Sequence, residues 1–329
     1  MGTIEITRFG GEFRPTPRNF KDLKILIEQC DDLYPGINIW YKRKVIEGLK
    51  QKSRTAYLIY DNGLPVGATI AKLGKDSKIC SLRILPEAEK KGYGRLLMAL
   101  IARDLRKISE ITHFTIPEQI WYQKSEFFKD YGFKFIKPAS DQYRLFDQEF
   151  YCRGEFQLFW EKVVKTLPDL IKRVSINGVD FTYDIVMSMH SRHTRAIKSG
   201  QKSVEIRRKF SNKWVGSKTL VYSTKPDNCF VGTFRIGNII KDEPDIIWNT
   251  FNDQIGCSKE EFSNYVGCEK NVYAIVISDF NEFKAPMPRT HLSTLVNSEI
   301  SVPQSYFKYQ ENSALEEAIS IGALIQSTL

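Results

Sequence analysis

The 329 residues carry 48 Lys and Arg against 39 Asp and Glu, a net charge of +9, with 42% apolar residues. That is an ordinary globular composition with room for two cores, and it excludes collagenous, low-complexity and disulfide-scaffold classes. The positive charge favours an anionic partner such as nucleic acid or an acidic protein. The six cysteines, at 30, 80, 152, 229, 257 and 268, form no Cys-x-x-Cys, and the four histidines add no zinc spacing. Reduced thiols and no metal are therefore expected. No apolar run approaches the roughly 20 residues that span a bilayer. The first residues lack a signal-type core, and Ile6 stands where myristoylation wants Ser or Thr. The expectation is a soluble, cytoplasmic protein with no membrane partner.

In chain order, Ile4–Phe9 reads as a strand. Residues 17–30 place Phe20, Leu23, Ile25, Leu26 and Ile27 near helical spacing, and Asn38–Lys50 suits a second helix. Thr55–Tyr60 and Val66–Leu73 read as strands joined at Asp61-Asn62-Gly63, a hairpin signal. A strand at Ile79–Leu85 then enters Pro86-Glu-Ala-Glu-Lys-Lys-Gly-Tyr-Gly-Arg95 and an apolar helix.

Gly92 and Gly94 remove Cβ atoms where the chain turns into that helix. The amides from about Lys90 to Arg95 would point outward at a helix N-terminus and cradle a diphosphate, with Lys90, Lys91 and Arg95 adding charge. The third glycine of a dinucleotide fingerprint and the Gly-Lys-Ser/Thr ending of a P-loop are both absent. On these residues alone, a plain turn capping a surface helix is the alternative.

The turn Glu89-Lys90-Lys91-Gly92-Tyr93-Gly94 resembles the R/Q-x-x-G-x-G/A loop of the GNAT acetyltransferase superfamily, with Glu89 at the first position. Ser125-Glu-Phe-Phe-Lys-Asp-Tyr-Gly-Phe133 is similar to that family's F-Y-x-x-x-G-F signature, with Phe128 in place of its tyrosine. The order strand, two helices, three strands, helix over residues 1–150 also matches. The resemblance implies an α+β, mixed fold, a twisted sheet flanked by helices. It implies an acyl-CoA cofactor, acetyl-CoA or another, held by Ile84, Leu85, Lys90, Lys91, Gly92, Tyr93, Gly94 and Arg95. The acyl group would sit where the strands around Ile79–Arg83 and Thr112–Ile116 splay apart. An amine attacks directly, so a base and an acid are needed. Glu118 and His113 are the candidate bases, and Tyr131, Tyr122 or Tyr93 would replace the missing acid. Glu87 and Glu89 are expected at the loop's solvated rim.

Phe156–Val174 reads as a connector helix interrupted at Pro168, and Ser175–Phe181 as a hairpin with an Asn-Gly turn. Asp184–His190, then Gly200-Gln-Lys202-Ser-Val-Glu205-Ile-Arg207, resembles the opening of an ASCH domain, a PUA-like β-barrel with helices. Later matches run from Val215-Gly216 to Pro303-Gln-Ser-Tyr306. Strand alternation puts Glu205 and Arg207 on one face. His190, Lys202, Glu205 and Arg207 would then gather at a cleft mouth for RNA or a modified nucleotide, with Trp214 or Tyr222 stacking a base. The alternative is a strand held by local ion pairs. Glu205 stands at the Thr position of the branch that hydrolyses acetylated cytidine, so that activity is not expected.

The domains read as 1–152 (GNAT), 153–182 (connector), 183–310 (ASCH) and 311–329 (closing helix). The first functional reading is an N-acetyltransferase whose second domain captures the acceptor, RNA or a nucleotide. The alternatives are a nucleic-acid-binding regulator whose first half senses acyl-CoA, and an acetyltransferase for protein or small amines.

Overall fold

The computed structural model describes residues 4–10, 15–29, 34, 36–139, 148–173, 182–310 and 313–326. The chain divides into two compact units, Met1–Asp180 with Ala323–Thr328, and Phe181–Gly322.

The first unit runs β1 (Ile4–Phe9), α1 (Pro17–Glu28), α2 (Ile37–Trp40), a wide π-turn over Tyr41–Ile46, α3 (Glu47–Lys50), β2 (Arg54–Asp61), β3 (Leu64–Lys72), β4 (Asp76–Ile84), α4 (Tyr93–Leu105), β5 (Ile111–Pro117), α5 (Glu118–Asp130), β6 (Lys134–Pro138), β7 (Glu149–Glu155) and α6 (Phe156–Arg173). Thr16 and Asn19 cap α1 reciprocally, with Pro17 at its first position. Asn62 and Gly63, at φ +52° and +78°, make the left-handed turn between β2 and β3.

The seven strands order as β1-β2-β3-β4-β5-β7-β6. Strand β7, read from no sequence pattern above, slots between β5 and β6. Helix α4 is tied to the sheet through Asp104, which accepts from Tyr57 Oη at 2.6 Å, Thr55 Oγ1 at 2.8 Å and Arg8 Nη2 at 3.1 Å. That fixes the helix whose N-terminus carries the glycine turn.

Helix α6 corrects the expected break at Pro168, because the helix continues through it. Phe159, Val163, Leu167 and Leu170 are buried on one stripe. Their packing outweighs the one backbone bond that proline removes. The expected hairpin at Ser175–Phe181 lies outside the described residues.

The second unit runs β8 (Ile185–Met189), α7 (Ser191–Lys198), β9 (Val204–Arg207), β10 (Lys218–Ser223), β11 (Cys229–Asp242), α8 (Pro244–Ile255), α9 (Lys259–Val266), β12 (Val272–Pro288), α10 (Arg289–Val296) and β13 (Tyr306–Lys308). Helix α11 (Ala314–Gln326) follows. The strands order as β13-β8-β10-β11-β12-β9. Three register shifts along β11 and β12 curl the sheet into a half-barrel.

Among the described residues five cysteines are free and no group of His, Cys, Asp and Glu could hold a metal. No helix of the described chain is long and apolar enough to cross a membrane.

Candidate active site

Strands β4 and β5 pair in parallel over three residues, Asp76–Lys78 against Ile111–His113. Beyond that point β5 keeps β7 as far as Pro117, and β4 keeps β3 as far as Ile84. The edges 79–84 and 114–117 therefore diverge. Cys80 is an extra residue where the β3–β4 register shifts between Ile70 and Ala71. Such a bulge bends its strand and raises the local twist. The opening is a cleft of about 1550 Å³ lined by both diverging edges. Backbone groups on a strand edge without a partner strand can bind an extended ligand.

The cleft is closed at one end by the glycine turn. Lys90 and Gly92 adopt φ +64° and +91°, the second a conformation that favours glycine. The first helical bond of α4 is Leu96 N to Gly92 O at 3.0 Å. The amides of Tyr93, Gly94 and Arg95 come before it and have no acceptor within the helix. A Cβ on Gly94 would meet the Phe127 ring at 3.7 Å and Ile84 at 3.9 Å, so only a narrow space lies over the turn. The side chains there are largely paired. Tyr93 Oη and Lys91 Nζ donate to Asp61 at 2.7 and 3.0 Å, Arg95 to Asp130 at 3.0 Å, and Lys124 to Glu89 at 3.0 Å. The Tyr93 hydrogen bond holds the Asp61 carboxyl below its usual range, helped by Lys91 against the effect of burial. What the turn offers an anion is backbone amides and helix dipole more than side-chain cations.

Tyr34 also lines the cleft and donates to Glu149 Oε1 at 3.0 Å, with Glu149 itself behind it, outside the lining. Glu149 opens β7, faces Pro117 across the β5–β7 ladder, and is 4% exposed. Its Oε2 is buried and has no hydrogen-bond partner among the described residues. A buried oxygen left this way is a ready acceptor.

In the second unit Lys202, Glu205 and Arg207 do come together, but inside the protein, at 3%, 7% and 7% exposure. Lys202 Nζ donates to Val204 O at 2.9 Å, Ile255 O at 2.7 Å and Glu205 Oε2 at 3.1 Å, which uses its three hydrogens. Arg207 reaches Glu205 at 3.0 Å, Ser188 O at 2.7 Å and Ser305 Oγ at 3.1 Å. It thus ties edge strand β9 to β8 across the open side of the half-barrel. Burial raises the Glu205 pKa, but Lys202 and Arg207 outweigh it and hold the carboxyl below its usual range. His190 caps α7, its Nδ1 accepting from Arg192 N at 3.4 Å. His193 Nδ1 and Arg207 Nε are buried without partners among the described residues. Tyr222 is buried and so unavailable for base stacking.

Two family models match. Residues 37–144 match the Acetyltransferase (GNAT) domain. The first unit carries a GNAT-type acetyltransferase domain. Residues 181–298 match a Domain of unknown function (DUF365), and this second domain is ASCH-like. The chain is 22% identical over 96 residues to an ASCH domain-containing ribonuclease of Zymomonas mobilis, covering 29% of this chain and 65% of that protein. The chain thus spans just under two thirds of that relative's length. Similar solved structures include ASCH from Zymomonas mobilis (20% identity, TM-score 0.37, 41% of this chain and 93% of that one). Another is a putative GNAT acetyltransferase from Desulfovibrio desulfuricans (15% identity, TM-score 0.39, 46% and 99%).

Within the GNAT cleft lie Ile84, Lys90, Lys91, Gly92, Tyr93, Gly94 and Arg95, while Leu85 packs into the core instead. Of the five candidate proton-transfer residues, Glu118, His113, Tyr131 and Tyr122 lie outside the lining, and Tyr93, which lines it, has its hydroxyl committed to Asp61. Glu118 starts α5, its amide bonded to Gln148 O at 3.1 Å. His113 sits where β4 and β5 still pair, with Nδ1 2.8 Å from Asp76. Burial lowers its pKa against the pull of Asp76. Tyr131 is buried among Phe127, Phe159 and Arg95, and burial raises its pKa. Phe128 does line the cleft. The sequence reading missed Tyr34 and Glu149. The available signal was a carboxylate opening an alternating strand, Glu149-Phe-Tyr-Cys-Arg153.

Two outcomes are expected. Gly94→Trp fills the space between Ile84 and Phe127, and calorimetry should show acetyl-CoA binding lost with the melting curve retained; unchanged affinity contradicts the cradle. In the ASCH-like domain, burial first and then Lys202 depress the His193 pKa to about 4. The unfolded chain binds that proton near its ordinary value of about 6.5, so stability falls as pH drops from there towards 4. His193→Gln should flatten this part of the pH–stability curve measured by urea denaturation.

Proposed function

We propose that this chain is an acyl-CoA-dependent N-acetyltransferase acting on an amine of RNA or a nucleotide, with the ASCH-like domain helping to hold that acceptor. The observation that supports it is the pair of diverging strand edges leading to an amide cradle. The two features together fit an extended thioester ending in a diphosphate. Acetyl-CoA bound there supplies an activated acetyl group. The amides of Lys90 to Arg95 would hold the diphosphate, and the β4 edge the chain leading from it.

The chain's own contribution is proton handling and positioning. The acceptor nitrogen sheds a proton as it bonds to the acyl carbon. Tyr34 takes that proton while passing its own to Glu149 Oε1, across the 3.0 Å bond already present. Phe128 supplies no proton, so the departing sulfur takes its proton from water.

A second reading is an acyl-CoA-sensing regulator that binds nucleic acid. Phe128 in place of a tyrosine and Glu89 committed to Lys124 favour it. Transfer of radiolabelled acetyl from acetyl-CoA to total RNA or free nucleotides separates the two. Label in the RNA or nucleotide fraction supports the enzyme; acetyl-CoA binding without any transfer supports the regulator. Glu149→Gln should lower kcat by roughly a hundredfold or more with acetyl-CoA affinity unchanged, and an undiminished kcat would remove Glu149 from the mechanism.

A further inference from the structure

The ladders of the first sheet align five cations and one histidine. Arg54 on β2 faces Lys72 on β3, Lys72 faces Lys78 on β4, and Lys78 faces His113 on β5. His113 faces Arg153 on β7, and Arg153 faces Lys134 on β6. Directly opposed residues share a face of the sheet. At the usual strand spacing the row extends on the order of 24 Å. Lys72, Arg153 and Lys134 are exposed; Arg54, Lys78 and His113 are half-buried.

Like charges placed directly opposite destabilise a sheet. The arrangement recurs at three of the five steps, Arg54–Lys72, Lys72–Lys78 and Arg153–Lys134, and an external anion laid along the row would offset it. Asp76 pairs with His113, and Tyr151 lies with its ring 5.3 Å from the His113 ring, tilted by 34°. A cationic track beside an aromatic platform fits single strands, whose bases are free to stack. Arg54, Lys72 and Lys78 also line the cleft. The row therefore crosses the sheet at the apex of the divergence, where β4 and β5 part after Lys78 and His113.

We propose that this row is a docking track for single-stranded RNA, carrying a nucleotide amine to the mouth of the cleft. The delivery rests on the acetyl-transfer reading above; the binding does not. The second domain's likeness to an ASCH domain-containing ribonuclease favours RNA over an acidic protein as the occupant.

The test uses the full chain, a short unstructured fluorescein-labelled RNA, and anisotropy across a salt series. Lys134→Ala with Arg153→Ala alters two exposed positions away from the cleft lining. The double variant should bind about tenfold or more weakly, and its log K against log salt slope should be shallower by about 1.4, at ~0.7 per phosphate contact. Its acetyl-CoA affinity should be unchanged by calorimetry. Lys72→Ala, in the other half of the row, should shift the slope in the same direction. An identical slope and affinity in both variants overturns the track, as does polyglutamate competing as well as RNA. If acetyl-CoA fails to bind the wild type while the RNA slopes behave as stated, the transfer reading fails and the track stands.

Discussion

The first domain depends on a pairing that stops. Three parallel pairs join β4 to β5, and then each strand stays with its other neighbour. The sheet is continuous at one end and open at the other. The bulge at Cys80 bends β4 at the point of parting. On its far side β5 is held along seven residue pairs by β7. Each strand is held on its outer edge by a neighbour, so its divergence on the inner edge is shared by the ladder it belongs to. The cleft is thus a property of the sheet, and the glycine turn and Glu149 are placed by the strands that border it.

That placement lets a turn with so many ion-paired side chains still present donors to an anion. Lys91 and Tyr93 hold Asp61, which fastens the turn to the β2–β3 hairpin. Arg95 and Glu89 are each linked to α5. These contacts position the turn and leave its backbone donors facing the cleft. Fixed amides at a helix N-terminus need no reorganisation to meet a diphosphate. The glutamate at the turn's first position then serves as an anchor through Lys124.

How much the sequence reveals follows from the range of each interaction. The turn at Gly92 and Gly94 is local, so spacing alone exposes it. The three-residue pattern Lys202, Glu205, Arg207 is local too, and its members do meet. Their burial is not readable, because it depends on Ser188 and Ser305, brought to Arg207 only when the half-barrel curls. Tyr34 and Glu149 are 115 positions apart and meet only through the sheet. The cationic row is spread over six strands in an order unlike their sequence order, with β7 inserted before β6. The same logic places His113 and Glu118 outside the cleft: one lies on the right strand but below the parting point, and the other starts the next helix.

The most direct measurement of the account is amide hydrogen exchange on the full chain with and without acetyl-CoA. Protection should appear in two stretches, the β4 edge at 79–84 and the turn at 90–95, with the β1–β2 ladder unchanged. Protection confined to other segments, or none at saturating acetyl-CoA, would contradict the claim that the diverging strands and the amide cradle form one site.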